Sequence, residues 1–442
     1  MEIERDVSLK LIAWKDRRNR KPLILQGARQ VGKTWLLKRL GKDHFKDTAY
    51  FNFDQQPDLK QFFRTTKDPG RILENLSLVH GRAILPGKTL VIFDEIQECN
   101  EALNSLKYFH ENTPDLAIAC AGSLLGVAMS RGAPFPVGQV EFMHIYPVSF
   151  SEFLAAADAA LAIYLNGIAK PDPIPDIFFN QLTDKLKMYY ISGGMPEAIV
   201  SLLESRDISL TQKVLQDILN AYTLDFSKHV ENRDIQKINY IWSSLPSQLS
   251  RENKKFLYQS VRPGARAREY EDALQWLSQA GLVHRVFCST KPGLPLSAYD
   301  DLSAFKIYLL DTGLLRRLSQ LEPAAIAQGN RLLTEFKGAL TENFILQSLI
   351  QQFEGTPRYW RSGNSAEVDF LVQHQNNIIP VEVKSYENVK SKSLAIYRKT
   401  HNPGLSIRFS LKNLNFNNGL INIPLFMADH TKMLLNQIRN EE

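Results

Sequence analysis

At 442 residues, with 44% hydrophobic and 23% charged residues and a formal net charge of +6, the chain has the composition of a globular protein of two to four domains. No run reaches the ~18 apolar residues that cross a bilayer. The start, Met1-Glu2-Ile3-Glu4-Arg5-Asp6, lacks an apolar leader core, and three scattered cysteines, Cys99, Cys120 and Cys288, argue against a disulfide framework or a zinc ribbon. A cytoplasmic location without membrane association is therefore expected, and the mild positive charge permits nucleic-acid binding without requiring it.

The first predicted strand, Pro22-Leu23-Ile24-Leu25, runs toward Gly27-Ala28-Arg29-Gln30-Val31-Gly32-Lys33-Thr34, and a helix-like stretch follows from Trp35. A glycine, four residues and Gly-Lys-Thr between a strand and a helix form a phosphate-binding loop. The backbone N–H groups from Gly27 to Trp35 would point at a di- or triphosphate. Lys33 would reach the β- and γ-phosphates, and Thr34 would ligand Mg²⁺. ATP or GTP is the expected ligand.

A second strand is predicted at Thr48-Ala49-Tyr50-Phe51-Asn52-Phe53. Next, Leu90-Val91-Ile92-Phe93-Asp94-Glu95 reads as a buried parallel strand with two acids at its carboxyl end, where open α/β sheets place their ligands. Asp94 would hold Mg²⁺ through water, and Glu95 would polarise the water that attacks the γ-phosphate. Read alone, the pair is a strand followed by a solvated turn; the phosphate loop upstream selects the functional reading. A further strand, Leu116-Ala117-Ile118-Ala119-Cys120-Ala121, ends in Gly122-Ser123. Ser123 is either a γ-phosphate sensor or the N-cap of the helix begun by Leu124-Leu125-Gly126-Val127. This alternation predicts a doubly wound sheet.

Gly27 to Thr34, Phe93-Asp94-Glu95-Ile96-Gln97, Ala121-Gly122-Ser123-Leu124-Leu125-Gly126 and Tyr146-Pro147-Val148-Ser149-Phe150-Ser151-Glu152-Phe153 together resemble the predicted AAA+ ATPases of bacteria and archaea. These carry a conserved C-terminal domain of unassigned function. The likeness continues through Ser192-Gly193-Gly194-Met195-Pro196-Glu197-Ala198, Lys306-Ile307-Tyr308-Leu309-Leu310-Asp311-Thr312-Gly313 and Phe336-Lys337-Gly338-Ala339. It implies ATP rather than GTP. One departure stands in Pro136-Val137-Gly138-Gln139-Val140-Glu141-Phe142, where the family commonly has a basic residue at the position of Gln139. An arginine-finger role would fall elsewhere; Arg131 is nearest in sequence and reads as a solvated loop arginine.

Residues 149–225 read as helices broken at Pro171-Asp172-Pro173-Ile174-Pro175, matching the helical lid that the resemblance implies. Gly193-Gly194-Met195-Pro196 is either a nucleotide-sensing hinge or a helix–helix turn, with Pro196 in the first turn of the next helix. Residues 227–270 hold nine Lys/Arg against four Asp/Glu. An amphipathic helix ending at Gly281, then apolar runs at 282–287 and 305–310, suggests a winged helix. Arg262, Arg266 and Arg268 before it would meet a phosphate backbone, or form a solvated basic face.

Near the end, Glu367-Val368-Asp369-Phe370-Leu371-Val372 alternates as a half-buried strand, Asn376-Asn377 offers a turn, and Ile378-Ile379-Pro380-Val381-Glu382-Val383-Lys384 returns. Two-residue spacing puts Glu382 and Lys384 on one face, and a hairpin would bring Asp369 beside them. Glu342 sits in a predicted helix over residues 333–353. The order resembles the PD-(D/E)xK nuclease fold, which implies that Asp369 and Glu382, with Glu342, hold a second Mg²⁺ or Mn²⁺ while Lys384 orients the nucleophile. Val368 replaces the family's usual proline. Lys390, Lys392 and Arg398 would follow a DNA backbone.

The predicted architecture is α/β. It comprises a P-loop AAA+ parallel-sheet domain (residues 1–150), a helical lid (151–225), a winged-helix-like basic region (226–325) and a restriction-endonuclease-like domain (326–442). The predicted activity is ATP hydrolysis coupled to DNA binding or metal-dependent DNA processing. The alternative is a nucleotide-controlled scaffold with an inactive nuclease-like domain. A homo-oligomer or a protein partner fits either.

Overall fold

The computed structural model describes residues 1–123, 136, 138–230, 232–251, 254–328, 334–363, 366–385 and 392–441. Arg131, Lys390 and the helix expected from Leu124 lie outside these residues. The chain forms two compact units, one of residues 4–146 with 279–281, the other of residues 1–3, 147–278 and 282–442.

In the first unit, β1 (Leu23–Gln26), β2 (Asp47–Asn52), β3 (Thr89–Asp94), β4 (Ala117–Ala121) and β5 (Glu141–His144) form a sheet in the order β2-β3-β4-β1-β5. Every pairing is parallel, as the strand–helix alternation predicts. β3 and β4 are buried along their whole length, which is why they read as unbroken apolar runs. Phe53, Phe63 and Phe93 pack edge-on or tilted with ring centroids 5.5–5.6 Å apart. The helix Asn100–Asn112 adds Leu103, Leu106 and Phe109 to the same core. β4 stands between β1 and β3, so the strand that precedes the glycine loop does not touch the strand that carries Asp94.

The second unit begins with helices Phe150–Ala157, Ala159–Asn166, Asp176–Ser192, Pro196–Ser205 and Ile208–His229. Ser149 and Glu152 form a reciprocal capping box, and Asp158 caps the next helix through the Leu161 N–H at 3.1 Å. Among the described residues, no helix is long and apolar enough to cross a membrane.

Gly193 and Gly194 make a tightly packed corner. The Asp311 carboxylate accepts the Gly194 N–H at 2.5 Å and the Leu314 N–H at 2.8 Å. A Cβ on Gly193 would lie 2.2 Å from Asp311 Oδ1, and one on Gly313 would lie 2.5 Å from Gly193 N. Gln347 donates to the Tyr189 hydroxyl at 3.0 Å and accepts from the Thr312 N–H at 3.1 Å. The segment forms a helix–helix turn held by a buried carboxylate, and a hinge at this corner would have to break the Asp311 bonds.

The remaining strands are β6 (Val283–Ser289), β7 (Asp300–Leu309), β8 (Arg358–Ser362), β9 (Ala366–His374), β10 (Asn377–Val383), β11 (Ser406–Ser410), β12 (Asn415–Asn417) and β13 (Leu420–Pro424). They form one sheet in the order β12-β13-β11-β10-β9-β8-β6-β7. The expected hairpin β6/β7 forms, with Val283 opposite Leu309. It is not a free-standing wing, because Cys288 and Ser289 of β6 pair in parallel with Tyr359 and Trp360 of β8. The sequence segments 226–325 and 326–442 therefore share a sheet. The hairpin β9/β10 also forms, turning at Gln375 and Asn376 with His374 opposite Asn377. The three cysteines are free and buried.

Gly193 has φ +66° and ψ −161°, a region that side-chain-bearing residues avoid. Gly193→Ala is expected to cost about 1–3 kcal/mol from backbone strain, before any clash with Asp311. A lowered thermal midpoint of the second unit's unfolding checks this; an unchanged midpoint contradicts the packed corner.

Candidate functional site

The loop after β1 reverses through Gly27 at φ +143°, Gln30 at +65° and Gly32 at +96° and feeds the helix Lys33–His44. A Cβ on Gly27 would lie 2.2 Å from the Ile145 carbonyl oxygen, so only glycine allows the loop this close to the end of β5. Leu36, Leu37 and Leu40 anchor the helix behind it.

Lys33 is withdrawn from water. Its ammonium donates to the Gly27 and Ala28 carbonyls at 2.9 and 2.7 Å and to Ser123 Oγ at 3.3 Å. Burial lowers its pKa to about 8, against the pull of Glu95 and Asp94 and with a further push from Arg29. His144, at the end of β5, is pushed down to about 4 by burial and then by Lys33. An anion placed in the loop relieves both effects, so the cradle fits a polyphosphate.

Thr34 Oγ1 donates to the Asp94 carboxylate at 3.0–3.1 Å. A hydroxyl and a carboxylate in contact are the all-oxygen donor set that a hard cation such as Mg²⁺ takes. Two residues not singled out from the sequence complete this corner. The Tyr50 hydroxyl donates to Asp94 Oδ2 at 2.7 Å, and Asn52 Nδ2 donates to the Tyr50 hydroxyl at 3.2 Å. Burial, then the bond to Asp94, lifts Tyr50 to about 12. Asn52 stands opposite Asp94 in the parallel register.

Glu95 adopts φ +48° just past β3, and its Oε2 accepts from Gln97 Nε2 at 2.6 Å. Trp35 is exposed at the first helical turn, with the Arg39 guanidinium 5.3 Å from its ring centroid. The Gln139 N–H donates to the Pro136 carbonyl at 3.1 Å.

The second group of expected residues also gathers, within the second unit. Glu342 on the helix Thr334–Gln352 is buried; its Oε1 pairs with Lys254 and its Oε2 accepts the Tyr308 hydroxyl at 3.1 Å. Asp369 Oδ2 accepts the Val383 N–H at 2.8 Å. Glu382 Oε1 pairs with Lys384 at 2.6 Å. Burial raises the Asp369 pKa well above the usual carboxylate range, Glu342 and Glu382 raise it further, and Lys306 and Lys254 oppose them. Glu342 stays low despite burial because Lys254 and Lys306 face it.

Among the described residues, no group of three or more His, Cys, Asp or Glu stands in position to hold a metal ion. The expected trio Glu342, Asp369 and Glu382 is gathered, but both Glu342 oxygens, one Asp369 oxygen and one Glu382 oxygen are engaged by lysines, a tyrosine and a backbone N–H. Lys254, Lys306, Tyr308 and Glu367 went unassigned in the sequence. The signal for two of them was Lys306 and Tyr308 at two-residue spacing inside an apolar strand. Arg262, Arg266, Arg268 and Lys392 are all exposed.

Residues 19–154 match the family model of the AAA domain. Residues 183–325 match a domain of unknown function (DUF8612), and residues 337–426 match another (DUF4143). The first unit thus carries a P-loop, AAA-type ATPase domain. No curated protein matches the chain. Among solved structures it is similar to a Walker-type ATPase of Pyrococcus abyssi, at 14% identity and a TM-score of 0.45, over 72% of this chain and 96% of that one. It is similar to the RuvB Holliday junction branch migration motor of Thermotoga maritima at 16% identity and 0.26, over 64% and 90%. A chain in the structure of Drosophila ORC bound to DNA follows at 11% and 0.23, over 68% and 89%.

Because burial lowers the Lys33 pKa to about 8, a polyphosphate bound against it is expected to recharge it in alkaline solution. Above that pH, binding takes up a proton and affinity falls as pH rises. Calorimetry at about pH 8.5 in buffers of different ionisation enthalpy reads the uptake directly. Lys33→Met is expected to abolish it; no uptake by the wild type contradicts the assignment.

Proposed function

We propose that the chain binds ATP with Mg²⁺ in the first unit, hydrolyses it, and uses nucleotide state to control an output in the second unit. The observation that carries this is the meeting of three segments. Lys33 touches Ser123 at the end of β4, and Thr34 touches Asp94 at the end of β3.

In this reading, the backbone of residues 27–35 and the Lys33 ammonium hold the β- and γ-phosphates. Thr34 and Asp94 hold Mg²⁺, which when bound neutralises charge on the phosphate oxygens. Tyr50 fixes the Asp94 carboxylate. Glu95, released from Gln97, takes the proton of the attacking water, and Ser123 reports the γ-phosphate. Glu95→Gln is expected to lower turnover by at least ~10²-fold while ATP affinity holds within a few-fold. Full turnover in that variant removes Glu95 from the mechanism.

For the second unit, the element order supports a restriction-endonuclease-like domain. A helix with Glu342 precedes β8, β9 carries Asp369, β10 leads through Glu382 to Lys384, and the helix Lys392–His401 leads to β11, parallel to β10. DNA binding or metal-dependent DNA processing is one output. The lysine-paired carboxylates favour the other: a nucleotide-controlled module of nuclease-like fold that does not cleave, working in the cytoplasm with a protein partner or further copies of itself. Incubating labelled duplex DNA with the protein and Mg²⁺ or Mn²⁺ separates the two. No cleavage is expected; cleavage that Asp369→Ala removes would restore the first output. A native-gel salt series reads binding by itself, since phosphate contacts weaken steeply with salt.

A further inference from the structure

The carboxylates of the second unit are answered by cations from a different part of the chain. Glu342, Glu367, Asp369 and Glu382 all belong to the matched segment 337–426. Lys254 and Lys306 belong to the preceding segment, 183–325. Lys306 enters from β7, at the sheet edge, and only 1% of its side chain is exposed. Its ammonium lies 2.6 Å from Glu367 Oε1 and 4.9 Å from the Tyr359 ring centroid, and it acts electrostatically on Glu342 and Asp369 as well. Lys254 pairs with Glu342 nearer the rim, with 13% of its side chain exposed. Lys384 covers Glu382 Oε1, and Arg408 of β11 stands opposite Glu382 in register. Glu382 Oε2 is buried and finds no hydrogen-bond partner among the described residues.

A divalent ion needs several carboxylate oxygens turned toward one point. Here both Glu342 oxygens are used, by Lys254 and Tyr308, and one Asp369 oxygen takes a backbone N–H. Four carboxylates face three lysine ammoniums, so the cluster needs little further positive charge. The residues present do not fit a bound metal as they stand.

We propose that Lys306 and Lys254 are resident cations that replace a divalent metal among Glu342, Glu367, Asp369 and Glu382. One segment of the chain thereby closes the carboxylate cluster of the next. The metal class, Mg²⁺ or Mn²⁺, rests on the nuclease-like reading; the closure rests on the ion pairs. Lys306 is the inner plug and Lys254 the outer, more accessible one.

The test is Mn²⁺ binding to nucleotide-free full-length protein, followed by electron paramagnetic resonance. The wild type is expected to have no Mn²⁺ site that Glu382→Gln removes. Lys254→Ala is expected to create such a site, tightening Mn²⁺ binding by at least about ten-fold, and Glu382→Gln added to it is expected to abolish the gain. Lys306→Met is expected to do the same where it folds; Lys254→Ala, at the rim, decides the matter where it does not. Circular dichroism and unchanged ATP turnover certify each variant. A wild-type Mn²⁺ site lost in Glu382→Gln overturns the proposal, and so does a folded Lys254→Ala that binds no more Mn²⁺ than wild type. Mn²⁺ gained without DNA cleavage leaves the plug standing and removes the nuclease reading instead.

Discussion

Each unit is organised around a lysine ammonium withdrawn from water. Burying such a charge costs several kcal/mol unless an anion answers it. Among the described residues, Lys33 meets neutral oxygens at hydrogen-bonding distance, the Gly27 and Ala28 carbonyls and Ser123 Oγ, and its pKa falls to about 8. Lys306 is as thoroughly buried but is ion-paired with Glu367 and feels the charges of Glu342 and Asp369, which together outweigh burial and hold it charged. The first site sets a buried cation inside a glycine loop shaped to receive an anion. The second carries its anions within the fold.

Strand order turns this local chemistry into a site. Because β4 lies between β1 and β3, the end of β4 delivers Ser123 to Lys33, while the end of β3 delivers Asp94 to Thr34. β2, next to β3, adds Tyr50 and Asn52. In the second unit, the Asp311 carboxylate and Gln347 tie the Gly193–Gly194 corner to the residues that follow β7. That packing fixes the end of β7, the strand from which Lys306 reaches the carboxylates.

Local chemistry was legible in the sequence; partnership across distance was not. The glycine loop, the Asp94-Glu95 strand end and the β9/β10 hairpin are each written in a few consecutive residues, although the hairpin turns one residue earlier than Asn376-Asn377 suggests. Tyr50 reaches Asp94 across 44 residues and Lys254 reaches Glu342 across 88, and no periodicity encodes such pairings. The β6/β7 hairpin was visible as two apolar runs. Its place beside β8 depends on strand neighbours that the runs do not specify. The same limit explains why the trio Glu342, Asp369 and Glu382 reads as a metal site in sequence: Lys384 is visible beside Glu382, but Lys254 and Lys306 lie in the preceding segment.

The most direct test of this contrast is a count of Mn²⁺ retained per chain by wild-type protein saturated with a non-hydrolysable ATP analogue. An ATP-dependent first site and a cation-filled second site predict one ion, lost when Thr34 and Asp94 are both replaced and unaffected by Glu382→Gln. Two ions per chain, one of them lost with Glu382→Gln, would contradict the account.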